Sequence, residues 1–341
     1  MTKKELLSRP VEHVDFTKID AVPIIDAYRK MSFTSREIAN AADIYREMLL
    51  DSDCSVWLTI AGSMGAAGCL NLFADLVHYN MVDVIVATGA AIVDMDFFEA
   101  LGYRHYRGTP NIDDAMLRKL HIDRIYDTFI DEDELRACDE AIFEIVKELP
   151  PDRYSSREFI KAMGDWLAAH PEREKKTESL VRVAHDCHVP IFCPAFSDSS
   201  AGFGLVKHQL KHPESHVSID SVKDFRELTE RKIASKETGL LMIGGGVPKN
   251  FAQDAVVCAE VSFGKKVPMH KYAVQITVAD VRDGACSSST LSEAQSWGKV
   301  DARQTQMVYA EATSVLPLIA AYAYQTTPRE SRARKNYMLK L

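Results

Sequence analysis

Gly239-Leu240-Leu241-Met242-Ile243-Gly244-Gly245-Gly246-Val247-Pro248-Lys249 decides how this chain folds. Its apolar half reads as a short buried strand. The three glycines then permit a tight turn, and Pro248 suits the first turn of a helix, where its missing N–H is not needed. A strand that passes through small residues into a helix is the repeating unit of a parallel α/β sheet.

The same unit recurs upstream. Ser55-Val56-Trp57-Leu58-Thr59-Ile60-Ala61 reads as a strand, followed by the small-residue turn Gly62-Ser63-Met64-Gly65-Ala66-Ala67-Gly68 and a helix over 66–80. Val82 to Thr88 reads as the next strand and ends at Gly89-Ala90-Ala91. Further strands are expected at 189–193 and 272–278, and helices at 155–168, 174–186 and 312–324. A helix starting near Thr34 is expected to be capped by Ser35. Asp131-Glu132-Asp133-Glu134 reads as a helix start, because carboxylates favour the N-terminal dipole. The stretch 103–151 otherwise carries few strand signals. The predicted class is a Rossmann-like, doubly wound, mostly parallel α/β sheet in one large domain over 36–327. Residues 1–35 form a polar N-terminal extension, and 328–341 a charged, solvated C-terminal tail. Ligands bind such sheets at the carboxyl ends of the strands, so three small-residue turns there predict a nucleotide crevice.

Composition narrows the class. The chain has 341 residues, 46% of them hydrophobic, and a formal net charge of −8. That balance argues against a nucleic-acid binder, whose footprint is basic. The seven cysteines are scattered without a CxxC pair, which predicts reduced thiols in the cytoplasm. The first residues lack the apolar core of a signal peptide, and no run reaches the length of a membrane span. His185, Cys187, His188 and Cys193 lie close together, but their spacing fits no common zinc pattern, so no metal is expected.

Chemistry concentrates in Glu293-Ala294-Gln295-Ser296-Trp297-Gly298-Lys299. On a helix, Glu293 and Trp297 share a face, and a carboxylate with an indole suits an ammonium ligand. Lys299 is then a candidate nucleophile, provided its surroundings leave part of it as free amine.

Five segments resemble the deoxyhypusine synthase family in order and spacing. They are His78 to Val84, Pro190 to Asp198, Gly244 to Lys249, Ser292 to Lys299 and Tyr309 to Thr313. The resemblance implies a homotetramer with active sites at dimer interfaces and NAD as cofactor. It implies an aminobutyl group taken from spermidine or a related polyamine, held as an imine on Lys299, and passed to an acceptor amine. Glu293, Trp297 and Asn250 fall on substrate-binding positions. Ser63, Thr88, Gly89, Asp198, Gly244, Gly245, Asp283, Ser287, Glu311 and Ala312 fall on cofactor-binding positions. The chain also departs from the pattern. Asn250 stands where the family's deoxyhypusine synthases carry a proton-shuttling histidine, and an amide is no general base. Phe203 and Cys286 stand where acids grip the polyamine. These changes weaken the case for a protein lysine as acceptor. They leave homospermidine synthesis from putrescine, or a non-catalytic NAD- and amine-binding relative, as alternatives.

Overall fold

A computed structural model describes residues 1–176, 178–328 and 332–340, with residues 339 and 340 described as backbone alone. Six strands form the central sheet: β1 Cys54–Ile60, β2 Val84–Ala87, β3 Ile191–Phe192, β4 Glu237–Ile243, β5 Tyr272–Thr277 and β6 Thr305–Tyr309. Their order is β6-β5-β4-β1-β2-β3, and every neighbouring pair is parallel. The helices used below are α1 Thr34–Leu50, α2 Leu70–His78, α3 Glu132–Glu148, α4 Ser200–Lys211, α5 Gly246–Val261, α6 Leu291–Ser296 and α7 Ala312–Thr326.

Alternate strand residues feed opposite faces. Val56, Leu58, Ile60, Leu241 and Ile243 enter one core, which also takes Ala41, Tyr45 and Met48 of α1 and Leu316, Ile319 and Ala320 of α7. Trp57, Leu240 and Met242 enter the other, against Ala252 and Ala255 of α5. Both faces of the sheet are therefore covered, which is why its strands read as continuous apolar runs. The expected α/β class with a mostly parallel sheet is what the chain adopts.

Several boundaries differ from the sequence expectation. Ser35 lies inside α1, whose N-cap is Phe33 with no side-chain cap bond. The helix expected over 66–80 opens as a wide turn over Gly65–Cys69, because Gly68 takes φ +102°, and only then becomes α2. The helix expected from 174 runs from Leu180 to Asp186. It starts there because Asp96 accepts the amides of Leu180 and Val181 at 2.7 and 2.8 Å. Strand β6 and a three-stranded antiparallel sheet (His105–Arg107, Ile122–Ile125, Thr128–Asp131) were not anticipated. Asp131 does start a helix: it caps α3 through the amide of Asp133 at 2.9 Å.

Both ends of the chain are tied down. The amide of Val11 donates to the carbonyl of His105 at 2.8 Å, and that of Arg107 to Arg9 at 2.7 Å. The buried Glu99 carboxylate gathers His13 (2.7 Å), His105 (2.9 Å) and Lys176 (3.0 Å), which hold it well below the usual carboxylate range against the opposing effect of burial. The solvated tail is overturned at Arg332, which is buried. Its guanidinium pairs with Asp83 and donates to the carbonyls of Asn80 (3.0 Å) and Cys54 (3.1 Å). Arg329, Glu330 and Ser331 lie outside the described residues. Among the described residues no helix is long and apolar enough to cross a membrane.

Candidate active site

The strand order reverses between β1 and β4, the switch point at which open α/β sheets bind ligands. The register brings the strand ends level. Ile60 pairs with Ala87 on one side and Ile243 on the other, and Ile243 pairs with Ile276. The turns that follow therefore meet at one edge.

They enclose two adjoining cavities that share Ala61 and Gly62. One, of about 280 Å³, includes Ser63, Thr88, Gly89, Asp198 and the start of α5 in its lining. The other, of about 310 Å³, includes Gly244, Gly245, Ser287, Glu311 and Ala312. All the positions expected to face a cofactor line one cavity or the other, except Asp283. That carboxylate is taken up within its own loop by the Ser288 hydroxyl and by the Ala285 amide at 2.7 Å. The two bonds, Ser288 foremost, hold it below its ordinary range.

The glycines are required by contact. Gly244 takes φ +71°, and a Cβ on Gly245 would lie 2.4 Å from the Cα of Ser287. This close approach lets the Gly246 amide donate to the Ser287 hydroxyl at 3.0 Å, locking the 285–289 loop over the turn.

Lys249 fastens the same loop from beneath. Its Nζ donates to the carbonyls of Cys286 (3.1 Å) and Ser289 and to the Ser289 hydroxyl (2.9 Å). The side chain is 1% exposed, and burial pushes its pKa down to about 8.

Lys299 lies against α5. Its Nζ is 2.6 Å from Asp254 Oδ1 and 3.2 Å from Asn250 Oδ1, and 5.4 Å from the centroid of the Trp297 indole. Asn250 and Asp254 are four apart on α5 and so share a face. The Asn250 amide also donates to Asp254 Oδ2 at 2.8 Å, which fixes the carboxylate.

Glu293 and Trp297 lie on the first turn and at the C-cap of α6. Glu293 belongs to the first turn of α6, and its carboxylate accepts from the Thr290 amide (2.6 Å) and hydroxyl (2.8 Å) in a capping box. α6 ends at Ser296, so Trp297 lies beyond it, 70% exposed. The carboxylate that accompanies the indole is Asp254, which the sequence reading missed. Its signal was the Asn250/Asp254 spacing directly after the glycine turn. Phe203 is exposed on α4, and Cys286 is exposed on the loop that Lys249 holds. His185 bonds Asp165 and Asp186, each at 2.9 Å, while Cys193 is buried at the end of β3.

Comparison with known proteins identifies the family. The family model for deoxyhypusine synthase matches residues 23–323. A deoxyhypusine synthase-like protein of Coxiella burnetii is 64% identical over 335 residues, covering 98% of this chain and 94% of that protein. One from Caulobacter vibrioides is 60% identical over 338 residues, covering 98% and 91%. A crystal structure from Entamoeba histolytica, described as a deoxyhypusine synthase, superposes with a TM-score of 0.60 at 21% identity. It covers 93% of this chain and 98% of that one, a likeness of fold. The chain belongs to the deoxyhypusine synthase family.

Proposed function

We propose that this protein is an NAD-dependent aminobutyl transferase acting through an imine on Lys299. The donor is spermidine or a related polyamine, and the acceptor is an amine. The observation that carries the reading is the placement of Lys299 against Asn250 and Asp254 of α5, the helix whose first turn lines the crevice. Asn250 lies four residues from the helix start, about 6 Å along its axis. A lysine nucleophile packed against the helix that opens a dinucleotide crevice suits a reaction in which oxidation and imine formation must occur side by side.

The residues of the crevice fit a dinucleotide. Glycines at 244 and 245 leave backbone where side chains would obstruct, and α5 offers its N-terminal amides to a pyrophosphate. Ser63, Thr88, Gly89, Asp198, Gly244, Gly245, Ser287, Glu311 and Ala312 would hold the cofactor. NAD would supply a hydride acceptor and, once reduced, a donor. Lys299 would hold the four-carbon group, and Trp297 would lie against the cationic chain. Exposed Trp297, Phe203 and Val247 leave apolar surface near this edge. That supports a homotetramer whose dimer interfaces close the sites. Phe203 and Cys286, both without charge complementary to a polyamine, favour a small acceptor such as putrescine over a protein lysine. A cytoplasmic location goes with this chemistry.

The test is trapping. The protein is incubated with NAD and spermidine, putrescine or agmatine in turn, reduced with borohydride and weighed by mass spectrometry. An adduct that is lost in Lys299→Ala is expected. NAD binding with no adduct from any amine would sink the transferase and leave a non-catalytic relative.

A further inference from the structure

We propose that Lys299 occupies, in the resting protein, the ammonium site that an amine substrate enters, and that Asp254 exchanges the one cation for the other. The exchange regulates the proposed transferase site and rests on that reading for the identity of the substrate. A carboxylate oxygen at 2.6 Å, an amide oxygen at 3.2 Å and an indole face at 5.4 Å surround Nζ. These are the partners a free primary ammonium seeks: acceptors for its N–H groups and a π face for its charge.

The other charged groups nearby are committed elsewhere. Lys249 gives its N–H groups to Cys286 and Ser289. Glu293 is turned to Thr290. Asp254 Oδ2 is held by Asn250, which leaves Oδ1 as the point of exchange. The Asp254 side chain is 31% exposed and that of Lys299 13%, so an incoming cation reaches the carboxylate before the amine.

While the pair stands, Nζ is held against Asp254 Oδ1 and is not free to attack. A substrate ammonium that takes Asp254 removes the counter-ion and sets a like charge beside Nζ. Both changes release Nζ from the pair. The proton passes to solvent, and Nζ is free to attack. Asp254 is thus a positioning residue that arms Lys299 when an amine is present.

The test requires neither NAD nor turnover. The full-length protein is treated at pH 7.5 with butyraldehyde and cyanoborohydride, and labelling of Lys299 is followed by peptide mass spectrometry. Asp254→Asn is expected to label about fivefold faster than the parent, and Asp254→Glu at the parent rate. A non-nucleophilic dication, 1,4-bis(trimethylammonio)butane, is expected to accelerate labelling of the parent and leave Asp254→Asn unchanged. Equal or slower labelling of Asp254→Asn, or a parent indifferent to the dication, overturns the proposal. Matching thermal unfolding curves exclude misfolding as the cause. Either of those results leaves the borohydride adduct of the transferase reading untouched. Loss of that adduct leaves the aldehyde result intact.

Discussion

Two lysines meet at the start of α5 and differ in what surrounds them. Lys249 is sealed beneath the 285–289 loop, whereas Lys299 faces Asp254 and the exposed Trp297. Lys249→Met would leave the Cys286 and Ser289 acceptors without a donor, at a cost of about 1–3 kcal/mol. Linkage adds a second reading. With a folded value near 8 and an unfolded value of 10.5, the folded protein binds fewer protons than the unfolded chain between those limits. Lys249 therefore makes stability rise with pH across that window, and the penalty is fully felt below pH 8. Denaturant midpoints from pH 7 to 10.5 should rise less steeply in Lys249→Met than in the parent. Equal slopes would contradict the burial of this amine. The residue level is also where sequence reading stops. Lys299 and Trp297 were legible because they sit in one short segment. Asp254 comes from another helix, which no spacing within that segment reveals.

At the level of elements, the glycine turn and the 285–289 loop behave as one part. Gly245→Ala would place a Cβ 2.4 Å from the Ser287 backbone, so the loop must move. NAD affinity, measured by calorimetry, should fall by about tenfold or more, since the loop closes one cavity of the crevice. Unchanged affinity would mean that the loop plays no part in holding the cofactor. The buried strands were legible for the same reason they are stable: β1, β4 and β5 are covered on both faces and carry long apolar runs. β6 escaped because it lies at the sheet edge, and Thr305-Gln306-Met307-Val308-Tyr309 is mostly half-buried. The small antiparallel sheet escaped because strands of three or four residues give no period to read.

Over the whole molecule, the ends of the chain act as clasps. Arg332 and Asp83 form a buried pair, and breaking such a pair from one side costs about 3–5 kcal/mol. Charge alone suggested a solvated tail, because composition does not reveal that Asp83 waits for a partner across the fold. The same limit applies to assembly. The proposed homotetramer predicts that sedimentation equilibrium will find four chains per particle; a monodisperse monomer would contradict active sites built between subunits.

In the proposed reaction Lys299 carries the transferred group. Lys249 is its natural rival, being a lysine beside the crevice whose pKa burial lowers to about 8. Peptide mapping of the borohydride-reduced protein, after incubation with NAD and spermidine, separates the two. A four-carbon amine is expected on Lys299 and none on Lys249. An adduct on Lys249, or on neither while NAD is bound, would contradict that role for Lys299.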